Sequence, residues 1–242
     1  MFIFFLFFYC LIIAYNMFFG DSIANLGFSY AMRIGEIPYK DFNMVIPPFS
    51  PFIYMIPLLI YKSSIVYYLT QAALLLILFI ILDKELKDKV YLFYMIICIS
   101  YPLALVTGLF PGYNYLLFLL LVIIIYLEKN NKNDYLIGFL IGVSILTKHS
   151  IGLFFILPTF FYYYKDIRKI GRRILGLLIP ILLFLIYLLF TNTFISFIDL
   201  CILGMFSFAN KNSNMPNYFL LAWIFICLIY YIYNWYKDKK AN

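Results

Sequence analysis

Residues 64–82 read SIVYYLTQAALLLILFIIL, nineteen positions without a charged side chain, and residues 83–89 follow at once as DKELKDK. An α-helix needs about 20 predominantly apolar residues to cross a hydrocarbon core of about 30 Å. The run is therefore long enough to span, and the charges after it mark a return to water. Seven further apolar runs bounded by charges or turn residues repeat the pattern, near 1–19, 90–109, 113–127, 135–147, 150–164, 174–191 and 217–235. Backbone groups in hydrocarbon must be satisfied within their own segment, so each run is expected to be a helix. The expected fold is all-α: a polytopic transmembrane bundle of about eight spanning helices with juxtamembrane helices in the first outer loop, a single domain over 1–242.

Composition supports that reading. The chain is 66% hydrophobic and 12% charged, against about 45–50% apolar and about 25% charged in soluble domains. A formal charge of +7 would suit a nucleic-acid partner only if it formed a basic patch on a folded surface. Here Lys and Arg stand between apolar runs, so membrane topology explains them and no nucleic acid is expected. Cys10, Cys98, Cys201 and Cys227 lie in or beside apolar stretches without metal-type pairing, and read as small hydrophobes. Residues 1–19 have neither a basic n-region nor an A-x-A cleavage signal, which reads as a retained first span. The missing Lys or Arg before it leaves open a start a few residues upstream.

Short cytoplasmic loops retain Lys and Arg. With eight spans, one side carries Lys84, Lys87, Lys89, Lys129, Lys132, Lys165, Arg168, Lys169, Arg172, Arg173, Lys237, Lys239 and Lys240, which is 13 of the 18 basic residues. Arg33, Lys40, Lys62, Lys148 and Lys211 fall on the other. Both termini are therefore expected in the cytoplasm of a multi-pass plasma-membrane protein. The run FSPFIYMIPLLIY at 49–61 is the exception: as a helix it would reach only about 20 Å. Counting it as a span would also reverse the basic loops. It is expected to be re-entrant or juxtamembrane.

Between the first span and that segment lies GDSIANLGFSYAMRIGEIPYKDFNMVIPP, residues 20–48. Ile23, Leu26, Tyr30 and Ile34 recur at helical spacing and Gly35 supplies a stop, which predicts a short interfacial helix. Asp21 then serves either as its N-cap, stabilised by free N–H groups and the helix dipole, or as a catalytic carboxylate. Lys40 and Asp41 read equally as an exposed loop pair, and Arg33 as a favourable charge near a helix C-terminus.

Asp21 just after the first span, G-E-I-P-Y-K-D-F at 35–42 and Pro47-Pro48 before an apolar segment together resemble the first extracytoplasmic loop of the GT-C glycosyltransferases. The similarity is to their protein-mannosyltransferase-like branch, which includes the bacterial aminoarabinose transferases. The stretch GFLIGVSILTKHSIGLFFILP, residues 138–158, resembles that family's T-K segment. The likeness covers about 1–190, leaving 191–242 as an outer loop and a last span. It implies that Asp21 is the general base, deprotonating an acceptor hydroxyl that displaces a polyprenyl phosphate from the sugar with inversion. Tyr39, Lys40 and Asp41 of the loop motif, with Arg33, Lys62 and Lys148, would bind substrate, since an anionic leaving group needs fixed cations. His149, next to Lys148, is a further candidate for substrate binding, and a lone histidine reads equally as a structural residue. Lys148 also reads as a snorkelling helix-end lysine. The implied partners are a polyprenyl-phosphate-linked sugar, a glycan, lipid or protein acceptor, and membrane lipids.

Two features depart from the family. Many members carry an acid after the third span, where this chain has Asn114, and many are longer. The chain has no G-x-x-x-x-G-K-[ST] or G-x-G-x-x-G loop for nucleotide phosphates, which agrees with a lipid-linked donor. One histidine makes a zinc site improbable. No cofactor is expected, and a divalent ion between Asp21 and Asp41 has no further support. Two other classes fit the composition: a transporter or flippase for a lipid-linked or small polar solute, and a non-catalytic membrane subunit. A transporter would place ionisable groups inside its spans, whereas Gln71 and Ser144 are the kind of polar group found there. No internal repeat is evident either.

Overall fold

The computed structural model describes residues 7, 10, 11, 20–85, 113–130, 132–163 and 165–204, and the backbone alone at 20–22 and 160–162. The chain divides into two compact units, 1–202 and 203–242. Of the second only residues 203 and 204 are described, so the architecture below is that of the first. Predicted spans at 90–109 and 217–235, and nearly all of 1–19, lie outside the described residues.

Among the described residues the structure is helical, apart from one isolated bridge between Pro38 and Phe42. The helices are α1 (Gly20–Arg33), α2 (Phe49–Ile60), α3 (Ser64–Glu85), α4 (Tyr113–Lys129), α5 (Asp134–Thr147), α6 (His149–Gly152), α7 (Leu157–Tyr163), α8 (Ile167–Phe190) and α9 (Phe194–Phe197). Two of them, α3 with 22 residues and α8 with 24, are long and apolar enough to cross a membrane. At about 1.5 Å per residue they reach roughly 33 and 36 Å. Along α8, Leu175, Leu178, Ile179, Leu182, Ile186 and Leu189 all stay exposed. They follow the 3.6-residue repeat and form one apolar stripe along the helix.

Among the described helices, α5 and α8 pack most closely. A Cβ added to Gly138 would stand 1.9 Å from the Arg173 carbonyl oxygen, and one added to Gly176 would stand 2.1 Å from that of Tyr135. Small residues on both partners let the backbones meet directly, as in helix pairs packed without a hydrophobic driving force. At one end of this pair Arg173, 4% exposed, donates from Nε to Asp134 at 3.1 Å and from Nη2 to Glu128 at 2.6 Å. Its Nη1 faces Thr159 at 3.4 Å, and its guanidinium stands 4.4 Å over the Tyr163 ring. Arg172 adds a 3.0 Å ion pair to Asp134. A buried arginine is tolerable only with such partners, because an uncompensated buried charge costs several kcal/mol.

α2 is the 12-residue helix that the short run at 49–61 predicted. It packs on α1, and Leu26, Tyr54, Leu58 and Tyr67 form their shared core with α3. α1 ends as the sequence predicts: Gly35 has φ +97°. Glu36 N donates to Ala31 O at 3.0 Å and Gly35 N to Met32 O at 3.2 Å, a Schellman closure.

Two predicted stretches differ from expectation. The span predicted at 150–164 is divided into α6, a 3-10 turn over Leu153–Ile156, and α7. Pro158 lacks an N–H and its ring crowds the carbonyl four residues earlier, so the helix tightens before it. The outer loop predicted from 192 contains α9 and a π-helical turn, Ile198–Leu203. Its apolar residues fold back onto Tyr39 and Met44.

Candidate functional site

The predicted site residues fall into three groups. Arg33 sits at the far end of α1 from position 21, about 18 Å away along the axis at 1.5 Å per residue. Its Nε donates to Leu58 O at 2.6 Å, serving one of the carbonyls left open at the end of α2. Lys62 is exposed in the connection after α2. Neither is brought to the other predicted residues.

The second group is the loop motif. Asp41 accepts from Ile37 N at 2.7 Å, while its own N–H donates to Ile37 O at 2.9 Å. The carboxylate thus closes a tight turn, and Lys40 beside it is exposed. Tyr39 has φ +67°, a conformation that a residue with a Cβ adopts only when its surroundings hold it. Three contacts do so here. Its N–H donates to Phe42 O at 2.9 Å, its hydroxyl donates to Ile46 O at 2.7 Å, and its ring meets Phe197 edge-on at 5.3 Å. The side chain is 4% exposed, and burial, with Cys201 alongside, pushes the phenol well above its ordinary range. Tyr39 is therefore an anchor of the loop rather than an acid or base.

The third group is where polar chemistry converges. α5 stops at Thr147, and Lys148 adopts an extended backbone, φ −158° and ψ 103°. That break carries its ammonium to Asn114 Oδ1 at 3.1 Å and to within 4.7 Å of the Tyr113 ring centre. Asn114, the departure from the family's acid, is thus a ligand for the lysine. His149 is buried, with Nδ1 3.6 Å from Cys201 Sγ. Burial first, and the Lys148 charge second, lower the imidazole pKa. Burial likewise pushes the Cys201 thiol up to about 12. The pair is neutral at physiological pH and lacks the thiolate that nucleophilic cysteines need. It packs the π-helical turn against the bundle.

A cavity of about 230 Å³ lies beside this group, lined by Asn25, Phe28, Asn43, Val45, Ile46 and Tyr113. Ala24 of α1 lines it too, so 24, 25 and 28 face it and position 21 falls on the same helical stripe by the i, i+3, i+4, i+7 rule. The Asp21 side chain, and with it the predicted cap, lies outside the described residues. Asn25 is 2% exposed, and its Nδ2 donates to Tyr67 Oη at 3.3 Å. Its Oδ1 has no hydrogen-bond partner among the described residues. A buried unsatisfied acceptor costs about 1–3 kcal/mol and calls for an explanation.

Sequence reasoning singled out Lys148 but not Asn25, Asn43 or Tyr113, since isolated amides and aromatics carry no spacing signal. Among the described residues, no three His, Cys, Asp or Glu side chains stand together as metal ligands. What the geometry of the described residues defines is a class: a helical fold with two helices long and apolar enough to cross a membrane and a small cavity. One wall of that cavity is an aromatic ring with a fixed cation on it. No protein-family model, curated protein or solved structure matches the chain. The loop at 20–48 and the segment at 138–158 alone carry the resemblance given above.

Proposed function

We propose that the chain is a multi-pass membrane glycosyltransferase of GT-C type, moving a sugar from a polyprenyl-phosphate donor to an acceptor hydroxyl on the extracytoplasmic face. In this reading the chain crosses about eight times with both termini cytoplasmic. The loop at 34–48 and the Lys148 break face outward, and the Arg173 cluster faces inward. The observation that carries the proposal is the meeting of three things: the cavity, the α1 stripe containing position 21, and Lys148 held on Tyr113 and Asn114.

The acceptor oxygen attacks the anomeric carbon as its proton passes to the Asp21 carboxylate. The bond from that carbon to the phosphate oxygen breaks with its electron pair on the oxygen, and the sugar inverts. Lys148 offsets the charge that develops on the departing phosphate. The ammonium is held in place beforehand by Asn114, so little reorganisation is needed as that charge forms.

The test is sugar transfer in proteoliposomes containing a radiolabelled polyprenyl-phosphoryl sugar and membrane extract as acceptor. Asp21→Asn is expected to lose about 10²- to 10⁴-fold in rate with an unchanged thermal midpoint. Wild-type turnover in that variant refutes the assignment.

A further inference from the structure

We propose that the cavity enclosed by α4, α5, the 3-10 turn and α7 binds an anionic phospholipid of the leaflet that meets the N-terminus of α8. One acyl chain lies in the cavity, and the phosphate meets Lys129, Lys169 and Arg172 at its end. The inference rests on the membrane reading of the chain and is independent of glycosyl transfer.

The cavity has a volume of about 650 Å³, within the roughly 300–1,000 Å³ of small-molecule sites, and its walls change character in one direction. Along α4, Ile124 and Ile125 are followed one turn later by Glu128 and Lys129. Along the facing wall, Phe154 and Pro158 are followed by Thr159 and Tyr163. α5 runs the opposite way, and its Ile141 and Ile137 lead toward Arg173, which is held on Asp134 at the helix start. An apolar trough with its polar groups gathered at one end has the polarity of a lipid, in which chain and headgroup are joined end to end. Ile125 and Phe154, on the two walls, are exposed, which gives an acyl chain lateral entry from the bilayer.

The polar end carries cations in excess. Residues 128–134 and 165–173, which form it, hold seven Lys or Arg against three Asp or Glu, and residues 83–89, whose Glu85 pairs with Lys129, hold three of each. The nearest carboxylates are engaged by their own partners. Glu128 accepts from Arg173 Nη2 at 2.6 Å and from the Tyr163 hydroxyl, and Asp134 from Arg173 Nε at 3.1 Å and Arg172 at 3.0 Å. Lys169 Nζ stands 3.8 Å from the centre of the Tyr163 ring, while the Lys129 and Arg172 side chains are 63% and 48% exposed. Three cations thus surround the mouth, and phosphate oxygens accept from ammonium and guanidinium groups alike. An exposed pair such as Lys129–Glu85 is worth little, so Lys129 can turn to a phosphate at small cost. The cytoplasmic leaflet is the one whose anionic lipids attract basic segments beside spanning helices, and α8 begins there in the orientation proposed above.

The experiment incubates the purified full chain in neutral detergent with equal amounts of phosphatidylglycerol and phosphatidylcholine of the same acyl chains, and reads the retained lipid by native mass spectrometry. Phosphatidylglycerol is expected to be retained at least about tenfold over phosphatidylcholine. Lys129→Gln/Lys169→Gln is expected to lose most of that preference, while the charge-matched Lys40→Gln/Lys62→Gln keeps it. Ile125→Trp, at an exposed position where a larger ring leaves the core intact, is expected to fill the cavity and lower phosphatidylglycerol retention by at least about fivefold. Equal retention of the two lipids, retention of neither, equal losses in the two lysine pairs, or unchanged retention in Ile125→Trp overturns the site. A chain that stays monodisperse without detergent overturns the membrane reading instead. No sugar is present, so none of these outcomes bears on glycosyl transfer.

Discussion

His149 shows how a residue's neighbours set its role. Beside Lys148 in sequence, it reads as a candidate for substrate binding. Buried against Cys201 with its pKa lowered, it is a neutral packing group. An imidazole whose folded pKa lies below the unfolded value of about 6.5 weakens the fold as pH falls through that value, because the unfolded chain then binds the extra proton. The thermal midpoint in detergent is expected to drop between pH 7.5 and 5.5, and the drop is expected to shrink in His149→Gln. An equal pH dependence in the variant would remove His149 as its cause. Asn114 makes the complementary point: the residue that looked like a lost acid holds the ammonium of Lys148.

At the scale of elements, the α5–α8 contact depends on the absence of side chains at specific points. Gly138→Ala would drive a methyl into the Arg173 carbonyl and is expected to cost about 1–3 kcal/mol or more. Gly171→Ala, on the same α8 but with nothing within 4 Å of its Cβ, is expected to stabilise by about 0.5–1 kcal/mol. Thermal unfolding of both variants checks the pair, and equal shifts would contradict the packing. Much at this scale was legible in the sequence. Gly35 stops α1 because a left-handed closure is a local signal, and 64–82 forms one long helix because its run is unbroken. The division of 150–164 at Pro158 was missed, since its apolar content alone suggested continuity. The helical turns at 194–203 were missed because their partners, Tyr39 and Met44, are some 150 positions away.

The whole molecule repeats that division between local and distant information. Membrane-length helices can be read from runs of residues, whereas the Arg173–Glu128–Asp134 cluster cannot. A basic pair before an apolar run looks the same whether it is solvated or buried against carboxylates 45 and 39 positions away. The candidate site was legible in part. The loop motif at 35–42 runs directly into Asn43, Val45 and Ile46, which line the cavity, but Arg33 serves α2 and Tyr39 holds the loop. The polar lining of the cavity comes from Asn25, Asn43 and Tyr113, which no motif marked.

The account stands on α4 and its neighbours crossing the bilayer, with the cavity end outside and the Arg173 end inside. Single cysteines at Lys40 and Lys132, both exposed, in a chain whose native cysteines are replaced by serine, can be labelled in intact cells with a membrane-impermeant maleimide. The account predicts labelling at position 40 in intact cells and at position 132 only after permeabilisation. Both positions labelling from the same side, or the reverse pattern, would contradict it.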